Sequence, residues 1–445
     1  MATLLQNSEN WFEKGDIISA RVITRKGADE LATLTSNLVK IRSWTYDNDG
    51  LNEAARHIAR YLEDISPLVK VNTLQKRVRR TVEKEGNLVE EEGVYPRVIA
   101  EVGDGPLTVL LTGHMDVVEA KYTNDWSKDP FSGDIQNGNV YGRGTTDMKS
   151  GLAVLMSVFS SLAGNIDYKL ILAATSDEEV GGFNGAKYLA EDHHPDLVLV
   201  AEPTTGLAEL GEKGVLQIKI TINGRATHSS RASLGENAIM YAAEVLVKLR
   251  SEIPSIHIEP PTGIKNAMRN GINFLSKFGS NDLGIISFNP ARITGGSPRL
   301  LNAVPDQCTI EMDLRLPPGI SNADAFKMID DILAKTGISS DPNKIPNMKV
   351  ERGAHSEPNF TPEDNIYTKL FITALNTHQA ESFFTVSTGA SDGRFFRDKG
   401  IPTIVYGPGQ LSDAHTVNES VEISQIETAY NVYMDFLESL SSSKR

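Results

Sequence analysis

The chain has 445 residues, 40% of them hydrophobic and 23% charged, and a formal net charge of −14 at pH 7. That length predicts two domains rather than one core, the acidic balance argues against a nucleic-acid surface, and no apolar run approaches the ~20 residues that span a bilayer. The polar stretch Met1 to Asp16 has no apolar segment of the kind a secretory signal needs, and the single cysteine, Cys308, excludes an intrachain disulfide framework and fits a reducing cytoplasm.

In chain order, residues 28–41 and 51–64 have helical periodicity. Residues 68–73 and 97–102 read as strands flanking a charged turn, in which Lys76, Arg77, Arg79 and Arg80 are followed by Glu90, Glu91 and Glu92. A solvated hairpin is the reading favoured over a binding patch. Buried strands are expected at 107–112, 169–174 and 197–201, with helices at 151–162 and 184–191. Strands alternating with helices predict an α/β sheet, largely parallel.

After Gly214 the pattern changes. Residues 215–222 alternate apolar and polar, as a strand with one solvated face does. A helix (237–250), two strands (285–293 and 308–316), a helix capped at Ser321 or Asn322 (323–335) and a strand (348–352) follow. Strand-helix-strand-strand-helix-strand is the ferredoxin-like pattern. The expected division is a first catalytic part at 1–214, an inserted α+β domain at 215–356 and a second catalytic part at 357–445. The last part holds a helix at 365–377, strands near 382 and 403, and a helix at 424–440. Residues 252–284 form a long excursion with a helix over 265–278 and no assigned role. Ser441 to Arg445 reads as a frayed tail.

The chemistry concentrates at strand ends. Thr112-Gly113-His114-Met115-Asp116 closes one apolar run, and Asp147 follows the Gly-rich Tyr141-Gly142-Arg143-Gly144. Glu178 and Glu179 follow the run ending at Ala174, Glu202 follows Leu197 to Ala201, and His415 follows Thr403 to Gly407. Residues just past the carboxyl ends of strands are where open α/β sheets build their sites. Two imidazoles and at least three carboxylates converging there predict a two-metal hydrolytic centre. Adjacent acids such as Glu178 and Glu179 are costly to bury unless something positive neutralises them.

Thr112 to Asp116, Tyr141 to Gly151 and Asp177 to Gly182, taken in that order, resemble the M20 metallopeptidase family, which includes acetylornithine deacetylase, succinyl-diaminopimelate desuccinylase, aminoacylase and glutamate carboxypeptidase. The resemblance runs from about Leu31 to the C-terminal helix. It implies a zinc-exopeptidase-like catalytic domain with a mixed sheet, plus a ferredoxin-like lid and dimerisation domain. It also implies one metal on His114 and Glu202, a second on Glu179 and His415, and Asp147 bridging both, with a cis Asp147–Met148 peptide. Zn(2+) is the expected ion, Co(2+) or Mn(2+) being alternatives for such N/O ligands. Glu178 is then the general base, and Asp116 orients the His114 ring.

Gly224-Arg225-Ala226-Thr227-His228-Ser229 resembles the family's lid motif, with Thr227 where Ala is usual, and implies that His228 enters the partner subunit's site as an oxyanion donor. Asn302, Arg315 and Arg394 are candidate substrate contacts; Arg315 reads equally as a carboxylate clamp or as half of an ion pair on a sheet face. The loop Ser387 to Phe395 resembles that of the desuccinylase branch, which usually has Thr where this chain has Ala390. The implied enzyme is a homodimer that cleaves the amide of an N-acyl amino acid carrying a free carboxylate. A dipeptidase or glutamate-carboxypeptidase-like exopeptidase is the alternative, and a metal-free binding protein on the same fold is a third reading.

Overall fold

The computed structural model describes residues 25–84, 87–121, 123–297, 299–380 and 382–441. The expectations for Met1 to Asp16 and for residues 442–445 lie outside these. A nine-stranded sheet runs in the order Lys70–Lys84, Asn87–Val102, Lys169–Thr175, Thr108–His114, Leu197–Val200, Thr403–Val405, Ala208–Glu212, Asn359–Phe360, and Phe384–Ser387 also pairs with Ala208–Glu212. Its four middle strands, from Lys169–Thr175 to Thr403–Val405, are mutually parallel. The flanking strands Asn87–Val102 and Ala208–Glu212 run antiparallel to them.

The middle strands read as unbroken apolar runs because both faces are covered, as parallel sheets require. Leu111, Leu172 and Leu199 point into a core shared with Leu152, Phe159, Tyr433 and Phe436 of the helices Ser150–Leu162 and Ile423–Ser439. Leu110, Ile171 and Val198 point the other way, against Leu189 and Phe396. The charged turn predicted at 74–96 is instead strand: Lys70–Lys84 and Asn87–Val102 form one long hairpin. Opposite charges face one another across it, with Arg80 Nη2 2.7 Å from Glu91 Oε1 and Arg77 Nη1 2.7 Å from Glu92 Oε1. These pairs take the place of the apolar alternation by which a strand is recognised.

A separate four-stranded antiparallel sheet has the order Ser287–Gly295, Gln307–Leu316, Gly214–Asn223, Asn347–Ser356. The helices Ala238–Glu252 and Asn322–Ala334 cover one face, packing Val245, Leu249, Ile329 and Leu333 on Ile218, Ile220 and Ile310. Cys308 lies buried in this core, as packing rather than chemistry. Part of the 252–284 excursion leaves this sheet. Ile264, Ala267, Met268 and Leu283 are buried in the core of the large sheet. Among the described residues no helix is long and apolar enough to cross a membrane.

Candidate metal centre

The four parallel strands deliver the candidate ligands from one edge. His114 is the last residue of Thr108–His114; Glu178 and Glu179 open a short turn after Lys169–Thr175; Glu202 lies two residues beyond Leu197–Val200. His415 follows Thr403–Val405 and adopts φ 63. Asp147 comes from the turn before the helix Ser150–Leu162, and its peptide bond to Met148 is cis. Two glycines let the backbone close in around Glu202. A Cβ on Gly151 would stand 2.0 Å from the Ala201 carbonyl oxygen, and one on Gly407 would stand 2.6 Å from that of Glu202.

The side chains converge as two imidazoles around one carboxylate. Asp147 Oδ1 lies 2.9 Å from His114 Nε2, and Asp147 Oδ2 lies 3.3 Å from His415 Nε2. Glu202 Oε2 is 3.7 Å from His114 Nε2, and Glu179 Oε2 is 3.0 Å from His415 Nε2. Ligand atoms of His114, Glu178 and Glu202 lie within 4.8 Å of one another, as do those of His114, Asp147 and Glu179. The Glu178 carboxylate has no hydrogen-bond partner among the described residues, whereas Glu179 Oε1 accepts from Val118 N at 3.2 Å.

The ring of His114 is oriented differently from the expectation. Its Nδ1 lies 2.9 Å from the Asp116 carbonyl oxygen and 3.6 Å from the Asp116 carboxylate. The backbone carbonyl therefore accepts from Nδ1–H and leaves Nε2 as the nitrogen that faces Asp147 and Glu202. The Asp116 carboxylate accepts instead from Thr45 Oγ1 at 2.9 Å. The turn carrying Asp147 is held by Glu419, a residue that the sequence reading missed. Glu419 accepts from Arg143 Nη1 at 2.6 Å and from the backbone N–H groups of Gly144, Thr146 and Asp147 at 3.1, 2.8 and 3.2 Å. The short sheet that pairs Ser420–Glu422 with Asn139–Tyr141 brings it there.

Burial and mutual repulsion dominate the electrostatics. Burial, then the charges of Glu202, Asp392 and Glu179, push Glu178 well above the carboxylate range, against His114. Burial likewise raises Glu202 to about 7. Hydrogen bonds to Asp147 and Glu179 lift His415 to about 10. Burial opposes ionisation of Asp147, but His114 and His415 hold it below the usual range. Without a cation, such groups could neutralise one another only by sharing protons. A divalent ion would do so better, since each imidazole and carboxylate then turns a lone pair on it. Glu202 Oε1 is buried without a partner, as an oxygen awaiting a ligand would be. The donor set of imidazole nitrogens and carboxylate oxygens suits zinc, cobalt or manganese.

The other candidates stand apart from this cluster. His228 and Asn302 lie together, with Ser229 N donating to the Asn302 carbonyl at 2.9 Å and His228 bridged to Ala303. Both are exposed, and no hydrogen bond or ion pair among the described residues joins them to the cluster. Arg315 pairs with Asp313, Nε to Oδ1 2.7 Å, so its ion-pair reading is the observed one. Arg394 is buried and donates to the carbonyls of Ser391 and Gly181, each at 2.6 Å. It braces the loop after Glu179 rather than presenting an open fork to a substrate. Asp392, buried beside Gly182, and Thr45 also escaped the sequence reading, because neither belongs to a ligand motif.

The family model of peptidase family M20/M25/M40 matches residues 110–439. The chain is 26% identical over 421 residues to a probable succinyl-diaminopimelate desuccinylase of Staphylococcus epidermidis, covering 90% of this chain and 95% of that protein. It is 26% identical over 428 residues to an N-formyl-4-amino-5-aminomethyl-2-methylpyrimidine deformylase of Bacillus subtilis, covering 89% and 95%. Among solved structures, an M20 family metallo-carboxypeptidase from Sulfolobus solfataricus superposes with a TM-score of 0.69 at 20% identity, over 92% of this chain and 99% of that one.

Proposed function

The chain belongs to peptidase family M20/M25/M40 and is a metal-binding hydrolase of amide or peptide bonds; from this premise we propose that it is a dinuclear enzyme that deacylates N-acyl amino acids. One observation carries the reading: the two oxygens of Asp147 are divided between the two imidazoles, 2.9 Å from His114 and 3.3 Å from His415. His114 and Glu202 would hold one cation, His415 and Glu179 the other, and Asp147 both. Bound there, zinc ions would polarise the scissile carbonyl and acidify the attacking water.

The chain's own residues do the rest. Glu178, unpaired beside the cluster, takes the proton that the water loses and delivers it to the departing nitrogen. Glu419 fixes the Asp147 turn, and the Asp116 carbonyl engages His114 Nδ1, so that Nε2 would be the ligating nitrogen. His228 is prepared as a donor. Its Nδ1 accepts from Ser230 N at 3.2 Å, which leaves Nε2 as the nitrogen able to donate elsewhere. We assign that N–H to the tetrahedral oxyanion in the site of a partner subunit, which makes the second sheet both lid and dimer contact. The substrate's free carboxylate is kept as part of the proposal, although Arg315 and Arg394 are engaged within the chain. The lone buried cysteine accords with a reducing cytoplasm.

Two curated relatives named for removal of a succinyl and a formyl group support deacylation over peptide cleavage. The test is elemental analysis of protein purified without chelator, joined to turnover of N-acetyl, N-succinyl and N-formyl amino acids and dipeptides. Up to two divalent ions per chain and preference for an acylated amino acid are expected. A protein without bound metal, and without activity gained from zinc, cobalt or manganese, would overturn the reading.

A further inference from the structure

The excursion between the second sheet's first helix and its next strand has so far had no role. Its helix Lys265–Ser276 lies against the strand Phe384–Ser387 as closely as glycine permits: a Cβ on Gly271 would stand 2.3 Å from Thr385 Oγ1. Glu363 ties down the helix start, Oε1 accepting from Ala267 N at 2.8 Å. At the other end Phe274 and Phe278 meet edge to face, with ring centroids 5.3 Å apart. Between this aromatic wall and the chain that follows Glu202 lies a cavity of about 370 Å³, within the range of small-molecule sites. Leu207 and Val386 line it as well.

Two of the cavity's walls adjoin candidate ligands along the chain, and its Glu209 lies close enough to Glu202 to feel that charge. Pro203 directly follows Glu202, and Gln410 to Ser412 lead into His415. Phe278 is 73% exposed and Leu411 48% exposed at its lining. Large apolar side chains left in water around a concavity mark a binding surface.

We propose that this cavity is the enzyme's side-group pocket, which receives an uncharged apolar group of aromatic size attached next to the scissile amide. The proposal rests on the hydrolase reading above and adds to it a substrate class. Glu209 is the one ionisable residue among the described residues lining the pocket. Burial pushes its carboxyl up to about 8, against Arg397 and with Glu212 adding to the rise. The pocket therefore presents little fixed charge at neutral pH, which favours a neutral occupant over a charged one.

The experiment compares kcat/KM of the metal-loaded enzyme for N-acetyl-L-phenylalanine, N-phenylacetylglycine and N-acetylglycine. Full burial of one aromatic side group corresponds to ~10–100-fold, so at least one aromatic substrate should exceed N-acetylglycine by about tenfold. Which of the two does so identifies the side of the amide that faces the pocket. Phe278→Ala, at an exposed position that folding does not depend on, and Phe274→Ala should each lower the aromatic-to-glycine ratio several-fold. Calorimetric binding of N-acetyl-L-phenylalanine and N-acetylglycine to the same three proteins reads the pocket without turnover. Tighter binding of the aromatic ligand that is weakened in Phe274→Ala upholds the pocket even if no compound is hydrolysed, which would count against the deacylase reading alone. A wild-type preference near one in both measurements, or a preference that neither substitution changes, overturns the proposal.

Discussion

In the nine-stranded sheet the reactive side chains are rooted at strand ends and already meet one another; in the four-stranded sheet they stand in solvent. His114 is fully buried, with both ring nitrogens within 3 Å of an oxygen. His228 is exposed, and among the described residues its ring hydrogen-bonds within its own turn. The difference follows from what each must bind. A metal centre needs ligands fixed to a fraction of an ångström, which a packed sheet edge and buried hydrogen bonds supply. The donor role proposed for His228 would be exercised only after closure, and a loop suffices for that.

Four measurements sharpen or break that division. Glu178→Gln should lower kcat by about 10²–10⁴ and keep the metal, whereas Glu179→Gln should lose metal; the reverse result would exchange the roles of the two acids. Glu419→Gln leaves Arg143 buried without its charge partner. It should cost ~3–5 kcal/mol of unfolding free energy, read from denaturant titration, and a loss below ~1 kcal/mol would mean that the Asp147 turn stands without it. His228→Ala should reduce kcat by about 10²–10³ at unchanged metal content. Refolded with Glu178→Ala chains, half the dimers pair randomly as mixed, each with one intact site, so activity should recover to about a quarter. No recovery from a mixture of confirmed dimers would place His228 in its own chain's site. Arg315→Ala should change stability by less than ~1 kcal/mol, as partly exposed pairs do; a large rise in KM instead would restore the clamp.

The sequence made the first region far more legible than the second. His114, Glu178, Glu179 and Glu202 could be found because each follows an apolar run whose burial is dictated by hydrophobicity alone. Glu419 could not, because its partners are backbone N–H groups of residues some 270 positions earlier and an N–H leaves no trace in composition. The hairpin at 70–102 was read too short for a related reason, its cross-strand ion pairs looking like a turn. The succession of strands and helices in the second sheet was legible, but the excursion hid a different fact. Ile264, Ala267 and Met268 have ordinary helical spacing, and nothing in that spacing says which of two cores they enter.

The pairing of Thr403–Val405 with Leu197–Val200 has a consequence for how the enzyme comes into being. The whole second sheet lies between these two neighbours in the chain, so the large sheet closes only when the segment around Thr403–Val405 returns. Pairings this distant in sequence form late, because loop closure must precede any gain from them. His415 and Glu419 arrive with the same late segment, one as a candidate ligand and the other holding the Asp147 turn by hydrogen bonds. A chain lacking that segment would hold His114 and Glu202 but not the imidazole of His415 or the carboxylate of Glu419. Joining of the two halves of the candidate metal centre is therefore tied to that late pairing.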